Sequence, residues 1–366
     1  MRVVYNAFNG RYADNPRAIF EAWRRSDPDA THTWLADPRH ARGFPTGVLT
    51  VPIRSAAASA ALENADLVVA NCHTDLDPWR KKGGSTYLQT WHGTPLKRIH
   101  RAAVSQPAPH VMDALDAEIG TWDHLLSPSP AATRLLRAAF GYAGSVLETG
   151  YPRNDVLNAP DAVVRRQRIR RQLGIPDGTT AVLYAPTYRD DEVFGGDAPL
   201  GLDLQRLTRQ LGAGYIVLLR RHYYLGHRQP LTSTTRLRDV SSEPDIAELY
   251  LAADALVTDY SSSIFDFAIT GKPIVMFAYD LPHYRDRLRG FTLDLATDLP
   301  GPVVADPGEL AALLADLRGL RAAGADRYAA FAARYTQLED GHASRRVLAQ
   351  LSRAGVDAQA VRPTAS

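Results

Sequence analysis

Short apolar runs alternate with longer amphipathic stretches along almost the whole chain, and this rhythm limits the fold more than any single motif does. In the first part, residues 2–6, 31–36, 66–70, 86–91 and 146–149 read as strands, and 16–25, 56–64, 111–120 and 131–140 have the period of helices. Asn15 stands where it can cap the first helix, with Pro16 where its missing N–H costs nothing. The rhythm resumes after Gly150. Helix 163–173 leads to strand 181–185, helix 202–211, strand 215–219, helix 246–252, strand 255–258, helix 264–269 and strand 273–277. Strands separated by helices predict parallel sheets covered on both faces. Two such series, each about the size of a nucleotide-binding unit, predict an α/β protein of two Rossmann-like domains facing a cleft.

Length agrees, since 366 residues make two domains at roughly 100–200 residues each. The expected joint is GYPRNDVLNAP, rich in Gly, Pro and Asn. The first domain then covers 1–150, a linker 151–160, and the second domain with its closing helices 161–355. Residues 309–351 read as nearly all helix, part of which is free to cross back to the first domain. The small, polar tail 356–366 is expected to be disordered.

Composition removes several functional classes. With 45% hydrophobic residues and a net charge of +2, the chain is neither disordered nor charged like a general nucleic-acid binder. The single cysteine, Cys72, excludes an internal disulfide and any multi-cysteine metal site. The start lacks the pattern of a signal peptide, and no apolar run approaches the ~18 residues of a membrane span. A cytoplasmic protein is expected, with peripheral contact to a membrane surface left open. Walker A, GxGxxG after the first strand, HExxH and GxSxG are all missing.

In parallel sheets ligands gather at the carboxyl ends of strands, so the residues there are the candidates. LQTWHGTPLKRIHR stops being a strand at His92-Gly93-Thr94-Pro95 and continues through Lys97, Arg98 and Arg101. An imidazole there suits proton removal from a hydroxyl near neutral pH, and the cations suit an anionic substrate. The same residues also suit a histidine packed under a loop beside a solvated basic helix. Strand 215–219 ends in Arg220, Arg221 and His222, which suit phosphate oxygens or a plain structural histidine. VTDYSSSIFD ends a strand at Asp259 and offers Ser261, Ser262 and Ser263 at a helix start, either as an anion cradle or as ordinary caps. YAPTYRDDE presents Thr187 and Arg189 after a strand, followed by acids that read best as a solvated loop. NAFNGRYADNP adds backbone amides at Asn9-Gly10 and a cation at Arg11. The basic run RRQRIRR reads as a solvated helix face, or as a contact to anionic lipid or another chain.

Taken in order, NAFNGRYADNPRAIFEAW, QTWHGTPLKR, GYPRNDVL, YAPTYRDD, LRRH, DIAELYLAADALVTDYSSSIFDFAITGKP and LEDGHASRRV closely resemble the CDP-glycerol glycerophosphotransferase family, the primases and polymerases of teichoic acids and related capsule polymers. The resemblance runs from about Asn6 to Val347. It implies a GT-B-like fold, with the donor nucleotide held mainly by the second domain and the acceptor by the first. It implies transfer of glycerol phosphate from CDP-glycerol to a hydroxyl of a lipid-linked, oligosaccharide or polyol-phosphate acceptor, with release of CMP. His92 would be the catalytic base, and His222 its catalytic partner at the donor pyrophosphate. Ser261, Ser262, Ser263 and Asp259 would lie near the phosphates, Thr187 and Arg189 close to the donor, and Asp245 and Ile246 beside the cytidine. Arg11 and Lys97 are weaker carry-overs for acceptor or phosphate contacts. No carboxylate-rich metal cage is evident, so protein donors are expected to stand in for Mg²⁺, with Asp259, Asp266 and Asp190 available as ligands. Ribitol phosphate or a sugar phosphate fits similar motifs, and a GT-B glycosyltransferase using a sugar nucleotide is the other reading. The length points to a compact primase or short polymerase. No nucleic-acid partner is expected.

Overall fold

A computed structural model describes residues 1–74, 79–104, 108–187, 189, 201–221 and 233–356. The chain divides into two compact units, the first formed by Met1–His92, Pro107–Asp155 and Leu338–Ser366, the second by Gly93–Gln106 and Val156–Gln337.

The first unit is built on seven strands: β1 (Arg2–Asn6), β2 (Thr31–Ala36), β3 (Leu49–Pro52), β4 (Leu67–Ala70), β5 (Thr86–Gln89), β6 (His124–Ser127) and β7 (Ser145–Glu148). They lie in the order β3-β2-β1-β4-β5-β6-β7, every neighbouring pair parallel. Strands β3 and β6 add to the expected set. Both have only four residues, and β3 is a largely exposed edge ending in Pro52, so neither carries a strong apolar signature. Phe20 and Trp23 of helix Asp14–Ser26 pack with Tyr5, Tyr12 and Trp34 in an aromatic core, with Tyr5 stacked on Trp34 at 5.1 Å.

The cap expected from Asn15 is replaced by another arrangement. The helix starts at Asp14 after Ala13, without a side-chain cap, and Asn15 is fully buried with its amide engaged elsewhere in the unit. Tertiary hydrogen bonds outcompete a local cap when both ends of the amide find buried partners.

The second unit holds β8 (Thr180–Ala185), β9 (Tyr215–Leu219), β10 (Leu237–Asp239), β11 (Ala255–Thr258), β12 (Ile274–Phe277) and β13 (Val303–Val304), in the order β10-β9-β8-β11-β12-β13, again all parallel. Its core joins Val182, Tyr184, Val217, Leu219, Val257, Val275 and Phe277 from the strands to Leu204, Leu207 and Leu310 from the flanking helices. The segment after His92 belongs here: Thr292 N–H donates to Leu96 O at 2.9 Å, and Arg98 N–H to Gly290 O at 3.2 Å.

The C-terminal helix corrects the expected span of 161–355 for the second domain. Residues from Leu338 onward fall in the first unit, where Val347, Leu348 and Leu351 of helix Ala343–Arg353 complete the core around Ile19 and Trp23. Asp155 fixes that helix by accepting from Ala343 N at 2.7 Å and Ser344 N at 2.8 Å. Gly150, at φ +81°, passes so close to Leu338 O that a Cβ would sit 2.6 Å from it. Residues 357–366 of the expected tail lie outside the described residues. Among the described residues no helix is long and apolar enough to cross a membrane.

Candidate active site

In an open parallel sheet the crossovers change side at one point, and the crevice at the carboxyl ends there is the natural ligand site. That point falls between β1 and β4 in the first unit and between β8 and β11 in the second. Each gathers candidate residues.

In the first unit the loops after β1, β4 and β5 meet. Phe8 N–H donates to Asn71 Oδ1 at 2.9 Å, and Asn9 N–H points at Cys72 Sγ at 3.4 Å. Gly10 makes the turn possible, since at φ +104° a Cβ would lie 2.2 Å from Asp37 N. His92 leaves the end of β5 with Nδ1 2.6 Å from Asn71 O. A carbonyl can only accept, so Nδ1 carries the proton and Nε2 presents its lone pair. The ring stacks on Trp91 at 4.2 Å and meets Phe8 at 5.5 Å. Burial lowers its pKa below the ordinary imidazole value; Asn71 O and Asp14 oppose that, while Arg153 and His73 add to it. The imidazole is therefore uncharged at neutral pH. Arg153 and Asp14 form an ion pair at 3.0 Å with both side chains under 10% exposed.

Four non-glycine residues around this point, Phe8, Asn9, Asp14 and Trp91, have left-handed backbones with φ between 45° and 63°. Each such residue costs on the order of 1–2 kcal/mol, so the loops are held in shape by their surroundings rather than by local preference.

In the second unit Asp259 follows β11 and closes onto the end of β8. Its Oδ1 accepts from Thr187 N at 2.8 Å and Tyr260 N at 2.6 Å. Its Oδ2 takes Arg189 Nη1 at 2.9 Å. Arg189 also grips Asp280 with Nε at 2.7 Å and Nη2 at 2.9 Å, and donates to Thr187 O at 2.7 Å. Its guanidinium lies 5.0–5.3 Å from the rings of Tyr260, Tyr279 and Tyr284. Arg189 is thus an internal brace, buried at 2% exposure, that ties three strand-end loops together. Asp259 has both oxygens committed to the same brace. Thr187 Oγ1 is buried and finds no partner among the described residues.

Ser261 Oγ lies 2.7 Å from Ser263 Oγ and accepts from Ser263 N at 3.2 Å, while Ser262 occupies the cap position of helix Ser263–Ala268 without a side-chain capping bond. Asp245 caps helix Ile246–Ala252 through Ala247 N at 2.9 Å, with Ile246 as its first residue.

Thr187, Arg189 and Asp259 are thus brought together, with the serines directly after them. Arg11 lies in the β1 loop of the first unit, its N–H donating to Ala7 O at 2.8 Å. Lys97 belongs to the second unit, paired by backbone with Phe291. His222 and Asp190 lie outside the described residues. Among the described residues no three of His, Cys, Asp and Glu are grouped to hold a metal. Asn71 and Asp280 were not picked out in the sequence, although both follow buried strands that end near a switch point; that position was the available signal.

Two Rossmann-like units, each built on a parallel sheet with candidate residues at its switch point, are the parts of a GT-B-like fold. Its particular family follows from comparison with known proteins. The sequence model of CDP-Glycerol:Poly(glycerophosphate) glycerophosphotransferase matches residues 1–353, and the chain belongs to this family. It is 36% identical, over 93% of its length, to a teichoic acid poly(glycerol phosphate) polymerase of Staphylococcus epidermidis, and 35% identical, over 94%, to a teichoic acid glycerol-phosphate transferase of Staphylococcus aureus. It spans 49% of the first and 91% of the second; against two of the curated polymerases it matches it covers about half their length. The solved structure of the wall teichoic acid polymerase TagF superposes with a TM-score of 0.87 at 35% identity, covering 96% of this chain and 89% of that one. A TagF variant soaked with CDPG gives the same TM-score at 34% identity, covering 96% and 88%.

Proposed function

We propose that the chain transfers glycerol phosphate from CDP-glycerol to a hydroxyl of a teichoic-acid-type acceptor, either lipid-linked or a growing polymer, and releases CMP. The observation that carries this reading is the tethered histidine: Nδ1 of His92 is held 2.6 Å from Asn71 O at the switch point of the first unit, leaving Nε2 as a neutral base. Family membership supplies the donor.

In this reading the acceptor oxygen attacks the phosphorus next to glycerol. A new P–O bond forms, the P–O bond to CMP breaks with its electron pair going to CMP, and the acceptor proton passes to Nε2 of His92. Phosphoryl transfer asks a protein mainly for alignment and positive or hydrogen-bonding groups around the spreading charge. Thr187, the hydroxyls of Ser261, Ser262 and Ser263, and His222 would supply these on the donor side, with Asp245 and Ile246 toward the base. Arg189 and Asp259 would act by holding the loop that carries Thr187. The first unit would serve the acceptor and the second the donor, and a lipid-linked acceptor would bring the chain to the inner face of a membrane. Arg11 and Lys97 are assigned to acceptor or phosphate contacts.

The test is a mass-spectrometric screen of CDP-glycerol, CDP-ribitol and sugar nucleotides against lipid-linked and oligomeric acceptors, with and without EDTA. CMP release from CDP-glycerol that requires acceptor, and that falls by about 10²-fold or more in His92→Ala, is the expected result. Full activity in that variant removes His92 as the base, and turnover of only another donor removes the glycerol assignment.

A further inference from the structure

Trp91 is a bulky residue held at φ +49° in the peptide that delivers His92. Had β5 continued as extended chain, Thr90 and His92 would point to the same face of the sheet. The left-handed turn at Trp91 breaks that alternation, and the His92 ring reaches Asn71 O at the end of β4. Both polar ends of the Trp91 residue are pinned by buried side chains. Its N–H donates to Gln89 Oε1 at 2.9 Å, while Gln89 Nε2 donates to Cys72 O at 3.2 Å. Its carbonyl accepts from Asn15 Nδ2 at 3.3 Å, and Thr90 Oγ1 lies 3.1 Å from the same oxygen. Asn15 Oδ1 in turn accepts from Arg153 N at 3.1 Å. Gln89, Thr90 and Asn15 are all 0% exposed, so these bonds have no water to replace them.

We infer that Gln89 and Asn15 are positioning residues that hold Trp91 in its left-handed turn and so fix the orientation and tautomer of His92. Gln89 joins the end of β5 to the loop after β4, and Asn15 joins it to the helix after β1 and to the backbone at Arg153. Both side chains hold the backbone of Trp91 rather than the His92 ring itself. The inference builds on the role of His92 given under the proposed function, but its primary readout does not depend on activity.

Asn15→Asp keeps the acceptor for Arg153 N and replaces the donor to Trp91 O with an oxygen. Gln89→Met keeps the length of the side chain and removes both of its bonds. Each variant, with the unsubstituted protein, is labelled with ¹⁵N at the histidine rings and its long-range ring spectrum recorded, the His92 signals being assigned from His92→Asn. The expected spectrum has His92 protonated at Nδ1 in the unsubstituted protein and averaged between tautomers in the variants. In acceptor-dependent turnover of CDP-glycerol, kcat is expected to fall about 10–100-fold with KM for the donor changed less than about threefold, the pattern of a misplaced base. His92 signals identical to the unsubstituted protein in both variants overturn the inference, whatever the activity. If CDP-glycerol is not turned over at all, the proposed function fails while the ring spectra still decide this point. Should Gln89→Met not fold, the Asn15→Asp spectrum decides alone.

Discussion

Arg189 sits with Asp259 on one side and Asp280 on the other, all three largely withdrawn from water. Removing only the cation strands two carboxylates in a poorly solvated place, and breaking one buried pair in this way costs about 3–5 kcal/mol. Arg189→Met is expected to lower stability in urea melts by at least that range, and Asp259→Asn by less, because Asp280 would still pair with the arginine. Equal melts for Arg189→Met and the unsubstituted protein contradict the bracing role. Sequence position revealed that Arg189 follows a strand, but its partners lie 70 and 91 residues away and could not be seen there. His92 allows a second test at this scale. Burial holds its pKa below 6.5, with Arg153 among the groups that add to the lowering. A base works when unprotonated, so activity should persist below pH 6.5 and fall only as pH drops through the lowered value. In Arg153→Gln one lowering charge is gone and Asp14, which favours the imidazolium, loses its partner. The acid limb of kcat/KM against pH is then expected to move to higher pH; an unmoved limb contradicts this electrostatic reading.

Helix Ile246–Ala252 shows what whole elements add. Its start carries the Asp245 cap, and its end is gripped by basic side chains from helix Ala162–Gln172 and from the turn before β12. Arg166 donates to the carbonyls of Leu251, Ala252 and Ala253 and pairs with Asp254 at 2.6 Å. Arg170 reaches Ala252 O and Asp254, and Lys272 Nζ reaches the carbonyls of Tyr250, Leu251 and Ala253. Cations at a helix C-terminus satisfy its last carbonyls and oppose its dipole. Part of the run RRQRIRR is therefore structural, since Arg166 and Arg170 face the protein. Burial, then Arg166, pulls the Lys272 pKa down from 10.5 to about 7. Between those values the unfolded chain binds the proton and the folded chain does not, so this group adds stability as pH rises. The stability difference between the unsubstituted protein and Lys272→Met should widen in favour of the former from pH 7 to about pH 9. A difference that narrows over this range contradicts the assignment.

The same helix was legible in full from the sequence, as were β9 and β11, because buried strands and amphipathic turns report their own burial. Strand β5 was legible only to Gln89. The expected span ran to 91, and the left-handed turn at Trp91 depends on Asn15, 76 residues away. Likewise the His92 motif could be read as a candidate base, while the carbonyl that sets its tautomer belongs to Asn71 at the end of another strand.

At the scale of the whole molecule, the chain begins and ends in the same unit. Val347, Leu348 and Leu351 are 0–4% exposed in the first core, although they lie more than 300 residues from Ile19 and Trp23. Deleting three such side chains costs about 2–5 kcal/mol each, a sum of the order of a domain's entire net stability. A chain ending at Gln337 is therefore expected to lose hydrogen-exchange protection in the β1 and β2 amides. Retained protection there contradicts the assignment of the C-terminal helix to this core. The function proposed for the chain makes one central claim, that phosphorus moves. CDP-glycerol labelled at the phosphorus next to glycerol tests it most directly. The label should pass to the acceptor and leave unlabelled CMP, and the transfer should be lost in His92→Ala. Label that stays on the nucleotide, as in transfer at carbon, would contradict the account.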